Sequence, residues 1–308
     1  MILKNTIKTI LFLPALLLHL SCNALPSDKD SHLENNCKKY EISICAIFKN
    51  EKKYLKEWIE YHLLIGIDHF YLYNNNSSDF PLNTLASYIK KGIVTVISWP
   101  DELHSSEKDN PMWALSTQIS AYENAIQVRA RGETEWLILM DINEFLVANE
   151  NCSLKDMLKK HSGSSGIALH QDCFDASNCS MAQQKLVIEA NELISSEKLV
   201  CTGVEKIIFK PLLCEYFTWP PYKYIFKNNQ LPIKLSKQQL RINRYLHRFK
   251  TELYFGENKQ KLCIDNRSLT ETDLHELLES NYKIEDQEGA IASYVPKMKK
   301  IMGHEGRE

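Results

Sequence analysis

WLILMDINEF, residues 136–145, is a run of apolar residues that ends in a cluster of acid and amide side chains. A short apolar run of this kind is typical of a buried strand. Open α/β sheets bind ligands at the carboxyl ends of their strands, so Asp141, Asn143 and Glu144 mark a candidate site. An Asp-x-Asp pair at such a tip can hold a metal ion and a diphosphate, but the second acid is missing because position 143 is Asn.

Strand and helix patterns alternate along the first half of the chain. The spacing of apolar residues predicts, in order, strand 41–48, helix 54–65, strand 69–73, helix 82–91, strand 93–99, helix 112–129 and strand 136–140. This order predicts parallel strands joined by crossover helices. Polar segments follow three of the strands, at 49–51, 74–79 and 141–144. Because the carboxyl ends of such strands share one edge of a doubly wound sheet, we expect the three segments to converge.

The composition is that of an ordinary globular protein. The chain has 308 residues, of which 44% are hydrophobic and 25% charged. This length suffices for one large α/β domain or two small ones. The formal net charge is −2 and the lysines are scattered among acids, so we expect no nucleic-acid partner and interpret most lysines as solvated surface.

The N-terminus has the pattern of a secretory signal. Lys4 and Lys8 precede an apolar run at 10–20, and small residues follow up to Ala24. The run is shorter than the ~20 residues that span a membrane. We therefore expect a signal peptide at 1–24, a linker at 25–39 and an exported protein, whether secreted, periplasmic or lumenal. Two alternatives give membrane association: lipidation at Cys22, or an anchor formed by residues 10–20.

Nine cysteines occur, and eight remain without Cys22, an even number that permits disulfides in an exported chain. No Cys-x-x-Cys occurs, so the spacing gives no zinc signature. Cys45 lies in an apolar strand and is predicted to be a buried free thiol. Pairing is open among five others, Cys152, Cys173, Cys179, Cys201 and Cys214.

A set of blocks recurs in the order of a known family. The blocks are CAIFKNE (45–51), EWIEYH (57–62), GIDHFYLY (66–73), NSSD (76–79), a helix led by Gln118, DINEF (141–145), a Lys-x-Ile-x-basic-Pro segment from Lys206 to Pro211, and Asn243 to Tyr245. In these blocks the chain resembles glycosyltransferase family 92, once called domain of unknown function 23 and related to family 2 transferases. The resemblance spans about residues 42–301.

This resemblance implies a fold and an activity. The implied fold is α/β: a single GT-A domain, here 40–305, with a Rossmann-like, mostly parallel central sheet flanked by helices. The implied activity is inverting transfer of a hexose from a nucleotide sugar, with a UDP-sugar as the expected donor, to a glycan acceptor. Characterised animal members transfer galactose. The resemblance also implies a divalent metal, Mn²⁺ or Mg²⁺.

Donor-binding candidates lie at the strand tips. They are Lys49, Asn50, Glu51, Asn74, Asp79, Asp141, Asn143 and Arg244. Asp141 and Asn143 are also the metal candidates. Two structural alternatives stand beside these roles: residues 49–51 could form a helix start, with Glu51 complementing the helix dipole, and Asp79 could cap a loop.

Three positions depart from the family pattern. Position 143 is Asn where the family has Asp, position 244 is Arg where it has His, and position 74 is Asn where relatives often have Asp. An amide oxygen is a weaker ligand for a hard cation than a carboxylate, whereas an arginine is a permanent charge suited to phosphate. We hypothesise that metal dependence is reduced and that Arg244 partly replaces the ion. The alternative is a surface Arg244 in a decayed enzyme.

Inverting transfer needs one carboxylate base near the acceptor hydroxyl. Asp172 and Asp175 follow a predicted strand at 166–170 and are the first candidates; the alternative is that each is an exposed loop acid. Glu144 is the third candidate, and it could equally hold the acidic loop in place. His62 lies on the apolar face of its helix and is interpreted as a packed core histidine.

A second class of function accounts for the same residues. A carbohydrate- or nucleotide-binding protein could retain the GT-A fold without catalysis, and the departures at Asn143 and Arg244 favour that alternative. Turnover of a nucleotide sugar that disappears in Asp141→Ala distinguishes the enzyme from the binder.

Overall fold

The computed structural model describes residues 38–100, 111–148, 152–176, 185–190, 192–195, 206–218, 223–246, 263–264, 267–268, 283–286 and 291–303. The predicted signal peptide at 1–24, the lipidation candidate Cys22 and the linker up to residue 37 lie outside these residues. Internal contacts divide the chain between Cys37 and Lys38, and the described residues belong to the second unit. Within them, no helix has both the length and the apolar character needed to cross a membrane.

The described elements follow the predicted alternation. The strands are β1 (Tyr40–Phe48), β2 (His69–Asn74), β3 (Val94–Ser98), β4 (Thr134–Leu139), β5 (Glu144–Ala148), β6 (Gly166–Asp175), β7 (Glu192–Ser195), β8 (Lys206–Phe209), β9 (Cys214–Thr218), β10 (Lys223–Phe226), β11 (Ile233–Lys234), β12 (Leu240–Leu246), β13 (Cys263–Ile264), β14 (Arg267–Ser268) and β15 (Lys283–Asp286). The helices are α1 (Lys52–Leu64), α2 (Leu82–Lys90), α3 (Pro111–Asn124), α4 (Arg131–Glu133), α5 (Leu154–Lys160) and α6 (Val295–Met302). Ala125–Ala130 forms a π-helical segment between α3 and α4.

The first half of the chain builds the parallel part of the sheet. Its strand order is β3-β2-β1-β4, and every neighbouring pair is parallel. Ile44 in the central strand β1 pairs with Phe70 of β2 and with Ile138 of β4. Helices α1 and α2 are the crossovers between these strands, as the alternation predicted. The carboxyl ends of β1, β2 and β4 therefore share one edge of the sheet.

The second half extends this sheet through one antiparallel strand. β8 lies antiparallel between β4 and β6, so β6 runs in the direction of β4. β12 is parallel to β6 and antiparallel to β5. The predicted α/β fold, with a mostly parallel central sheet, is confirmed. Strand β5 was not predicted: the chain turns directly after the acidic tip of β4 and pairs with β12.

Helix α1 packs on the sheet through one apolar stripe. Leu55, Trp58, Ile59 and His62 recur at helical spacing and are all buried. His62 accepts a hydrogen bond from the Leu146 N–H at Nε2, 3.2 Å, and its Nδ1 lies 2.7 Å from the Trp58 carbonyl. Burial lowers the pKa of His62 to about 3, so the ring is neutral. The interpretation of His62 as a packed core residue is confirmed.

The described cysteines correct part of the disulfide expectation. Cys45 is buried and free, as predicted. Cys152 and Cys214 are also free, so neither forms one of the disulfides that the sequence left open. Cys173 is disulfide-bonded.

Glu57 of α1 makes stability depend on pH. Its side chain is buried and accepts a hydrogen bond from the Ile188 N–H at 3.2 Å. Burial raises the pKa of Glu57 from 4.5 to about 7, against the opposing effect of the Ile188 and Val187 N–H groups. A folded-state pKa above the unfolded value stabilises below pH 4.5 and loses that contribution as pH rises through 7.

We therefore expect the free energy of unfolding to fall by about 2–3 kcal/mol between pH 5 and pH 8 from this group alone. Glu57→Gln removes the titration and should flatten the curve in that window, measured by urea unfolding at several pH values. Glu215→Gln, at an exposed position, is the matched control and should keep the wild-type slope. An unchanged slope in Glu57→Gln would contradict the assignment.

Candidate functional site

The loops after β1 and β2 are joined by hydrogen bonds at the carboxyl edge of the sheet. The Ser78 N–H donates to Asn50 Oδ1 at 2.8 Å, and the Asn50 N–H donates to Ser77 Oγ at 3.1 Å. The Ser77 N–H donates to Asn74 Oδ1 at 3.0 Å. Asn50 adopts a left-handed backbone, φ 60°, which asparagine tolerates better than most residues. The structure thus brings together Asn50 and Asn74, two of the predicted donor-binding residues.

The start of α1 lies at the same place. Lys49 is exposed, and Glu51 occupies the position immediately before the first residue of the helix. Asp79 reaches across from the β2 loop and accepts a hydrogen bond from the Lys52 N–H at 2.8 Å. Its other oxygen, Oδ1, is buried with no hydrogen-bond partner among the residues that the structure describes. Asp79 therefore caps α1, a structural role different from the loop cap that the sequence offered as the alternative. Contact with a base or ribose stays a prediction.

Removing this cap should affect both stability and ligand binding. We expect Asp79→Ala to lower the free energy of unfolding by about 1 kcal/mol, because a helix N-terminus loses its side-chain acceptor. Ser153→Ala is the matched control, since Ser153 Oγ accepts from the Asp156 N–H at the start of α5, away from these loops. Both variants should lose similar stability in thermal unfolding, and only Asp79→Ala should weaken nucleotide binding. Equal binding by the two variants would contradict a site at this edge.

Glu144 holds the acidic tip of β4 in place. Its carboxylate is fully buried and pairs with Lys206 Nζ at 2.7 Å through Oε2. The same oxygen accepts from the Asp141 N–H at 2.9 Å, and Oε1 accepts from Gln171 Nε2 at 2.9 Å. Both carboxylate oxygens are therefore occupied inside the protein. This geometry disfavours Glu144 as a catalytic base and supports the alternative, in which it fixes the loop.

Asp141 faces two cations. Its Oδ2 lies 3.9 Å from Arg244 Nη2, with side-chain exposures of 32% for Asp141 and 34% for Arg244. Burial raises the pKa of Asp141, but the charges of Lys206 and Arg244 and a hydrogen bond with Tyr122 outweigh burial and lower that pKa overall. Asp141 is thus an ionised carboxylate at neutral pH. Arg244 thus lies beside the acidic tip. Its role in donor binding stays a prediction.

Asn143 lies in the turn between Asp141 and β5. Its carbonyl oxygen accepts from the Tyr245 N–H at 2.8 Å, which ties the turn to β12 beside Arg244. The side-chain Oδ1 is buried, and no hydrogen-bond partner for it lies in the described part of the chain. Among the residues that the structure describes, no group of three His, Cys, Asp or Glu side chains is placed to hold a metal ion.

Asp172 is not part of this site, contrary to its candidacy as the base. It pairs with His170 Nε2 at 3.0 Å and lies 3.7 Å from both Lys237 Nζ and Arg241 Nε. Gln171, the intervening residue of β6, faces Glu144. Because successive side chains of a strand point to opposite faces, Asp172 lies on the other side of the sheet from the acidic tip.

Asp175 lies at the carboxyl edge of the sheet. It is the last residue of β6, and its register partner in β12 is Leu246, two residues beyond Arg244. Its side chain lies outside the described part of the structure.

Three residues of the site carry too little sequence signal to be predicted. Lys206 belongs to the Lys-x-Ile-x-basic-Pro segment, but nothing in that motif says that it reaches Glu144. Tyr122 occupies an apolar position in the pattern of α3, although it hydrogen-bonds Asp141 and accepts from Gln118 Nε2 at 3.1 Å. Gln171 is marked only by its place after a predicted strand. The available signal in each case is a polar group within an otherwise apolar pattern.

Comparison of the sequence with known proteins identifies a matching protein family. A family model described as Glycosyltransferase family 92 matches residues 38–295. A family 92 protein of Ricinus communis is 30% identical over 128 residues, 41% of this chain and 21% of the relative. One of Oryza sativa subsp. japonica is 33% identical over 128 residues, 41% of this chain and 19% of the relative. The chain thus spans about a fifth of the length of these curated relatives.

Solved structures give a weaker likeness. Residues 1–349 of S. aureus TarS match at 14% identity and a TM-score of 0.38, covering 69% of this chain and 61% of that chain. The same TarS fragment in complex with UDP matches at 14% identity and a TM-score of 0.38, covering 67% and 60%. The family match, and not this likeness, is the basis for assigning a function to the chain.

Proposed function

The chain belongs to glycosyltransferase family 92, and on that premise we propose that it transfers a hexose from a nucleotide sugar to a glycan acceptor. The observation that carries the proposal is the agreement between the family match over residues 38–295 and the polar edge of the sheet. At that edge the ends of β1, β2, β4 and β12 supply amide, carboxylate and guanidinium groups. Such a set suits a ligand with hydroxyls and a diphosphate.

For the donor we propose a UDP-sugar bound along this edge. The base and ribose are assigned to the joined loops at 49–51 and 74–79, and the diphosphate to Arg244. The amino terminus of α1 directly follows residues 49–51 and contributes a positive dipole end. Galactose is the first hexose to test, because characterised animal members of the family transfer it.

For the catalytic base we propose Asp175, with inversion as the stereochemical outcome. Glu144 has both oxygens occupied, and Asp172 is surrounded by cations on the other face. Asp175 remains at the carboxyl edge, close in register to Arg244.

Asp175→Asn should therefore reduce transfer at least about 100-fold, the scale of a lost general base, and leave UDP affinity unchanged. Product formation at saturating donor, with UDP titration in parallel, measures the two effects separately. Asp172→Asn serves as the comparison: if it abolishes transfer in a folded protein while Asp175→Asn does not, the assignment is wrong.

The compartment is proposed to be outside the cytoplasm, through the N-terminal segment. The disulfide at Cys173 is consistent with an oxidising environment. Membrane anchoring through residues 10–20 and lipidation at Cys22 remain the alternatives.

The proposed activity is tested by a screen of nucleotide sugars for hydrolysis and for transfer to glycans, with Mn²⁺ and with EDTA. Transfer from a UDP-hexose supports the proposal. The absence of turnover with every donor, together with saturable binding of one, would favour the non-catalytic binding protein. Glu144 and Asp172 are both held in ion pairs within the protein, and this observation favours the binding protein as the second candidate function.

A further inference from the structure

The residues at the β4 tip do not fit a resident divalent cation. Mn²⁺ and Mg²⁺ take about six oxygen ligands, of which carboxylates contribute most of the charge. Here the acid next to Asp141 is replaced by Asn143, whose neutral Oδ1 is buried. The one remaining carboxylate of the pair already faces Arg244.

We infer that this site holds the donor's diphosphate with Arg244, in the field of Lys206, and without a divalent cation. The inference rests on the proposed function, because it concerns how that same donor is bound. It departs from the metal dependence that the family resemblance implied.

The charge balance of the cluster supports this inference. Two carboxylates, Asp141 and Glu144, are matched by two cations, Arg244 and Lys206, at 3.9 and 2.7 Å. Counted over the described residues alone, the cluster is therefore neutral. A divalent cation would add two positive charges beside Lys206, which is buried with its ammonium 2.7 Å from Glu144. Such a cation would also have to displace Arg244 from Asp141.

Arg244 is positioned to reach a phosphate. Its guanidinium pairs with Asp141 at 3.9 Å, and a third of its side chain is exposed. The backbone below is fixed, because Arg244 is in register with Glu144 of β5 and the next residue, Tyr245, donates to the Asn143 carbonyl. A guanidinium held in this way can donate two parallel hydrogen bonds to phosphate oxygens.

Asp141 then has a different task from metal binding. An ionised carboxylate only accepts hydrogen bonds, and it repels a neighbouring phosphate. When Arg244 binds the diphosphate, Asp141 accepts hydrogen bonds from hydroxyls of the donor. It also keeps its ion pair with the guanidinium of Arg244. These separate roles of Arg244 and Asp141 explain why the tip has an acid at position 141 and requires no acid at position 143.

UDP binding measured by calorimetry on the full chain tests the inference. Wild-type affinity should agree within about threefold between EDTA and Mn²⁺. Arg244→Gln should weaken binding in EDTA by about 10–100-fold, the equivalent of losing a charged hydrogen bond. Arg241→Gln, on the same strand but beside Asp172 on the other face, is the matched control and should bind as wild type does.

Restoring the family residues should have the opposite effect. The double variant Asn143→Asp with Arg244→His should bind UDP at least about tenfold more tightly with Mn²⁺ than with EDTA, because a second acid replaces the fixed cation. A wild-type affinity that falls more than tenfold in EDTA, or an Arg244→Gln affinity equal to wild type, would overturn the inference while leaving the transferase proposal standing. The absence of UDP binding under both conditions would count against both.

Discussion

Lys206→Met is expected to lower the free energy of unfolding by about 3–5 kcal/mol, because it leaves a buried carboxylate without its partner. Lys206 Nζ lies 2.7 Å from Glu144, and the two side chains are 7% and 0% exposed. Of the donors in the described residues, the carboxylate would keep the Gln171 amide and the Asp141 N–H. The measurement is urea unfolding at neutral pH, compared with wild type.

The matched control removes both charges of the pair. Lys206→Met with Glu144→Gln should recover much of the lost stability, because replacing a buried ion pair by neutral groups costs far less than breaking it. A single variant within about 1 kcal/mol of wild type would show that the pair is more hydrated than its burial indicates. In that case Lys206 could not provide the fixed positive electrostatic field proposed for the diphosphate site.

Asp141→Asn is expected to reduce turnover at saturating donor by roughly 10²–10³-fold, the range found when one electrostatic contact to the reacting group is lost. The neutral amide keeps the shape of the side chain but loses the charge that faces Arg244 and that is proposed to accept from donor hydroxyls. Because about a third of Asp141 is exposed, stability should change little.

Asp156→Asn is the comparison for this variant, since Asp156 is an exposed acid in the first turn of α5. It should keep wild-type turnover. Initial rates of nucleotide release measure both variants, and a circular dichroism melt confirms that each is folded. Turnover of Asp141→Asn within threefold of wild type would remove Asp141 from the reaction.

The parallel half of the fold was predictable because its signals are local. Alternating apolar runs and helical spacing gave β1, α1, β2, α2, β3 and β4 in the right order. Strand β5 was missed because it follows the tip of β4 without a break and pairs with β12, about a hundred residues later in the chain. A pairing at that distance leaves no periodic signal in either segment.

Candidate residues that end a strand could be placed at this edge from the sequence. The face of a strand on which a side chain lies could not be predicted. Asn50, Asn74, Asp141 and Arg244 lie at the expected edge. Asp172 does not belong to the site because strand alternation directs it away from Gln171 and the acidic tip. A shift of one residue reverses the face, and the sequence of a strand that is covered on both sides does not reveal which face is which.

The roles of Glu144 and Lys206 became clear only from the burial of their side chains in the structure. Glu144 and Lys206 looked like surface or site residues in sequence, yet each satisfies the other inside the protein. Asn143 and Arg244 were paired in sequence only as two departures from one pattern. The structure adds the contacts that join them, through Asp141 and the Tyr245 N–H.

The most direct test of the nucleotide site is hydrogen–deuterium exchange with and without UDP. The edge formed by β1, β2 and β4 should be protected, so that exchange slows in peptides covering 46–53, 74–79 and 139–146. Residues 161–165, at the opposite end of β6, should exchange as in the free protein. Protection confined to 161–165, or none at the three strand tips under saturating UDP, would contradict the account.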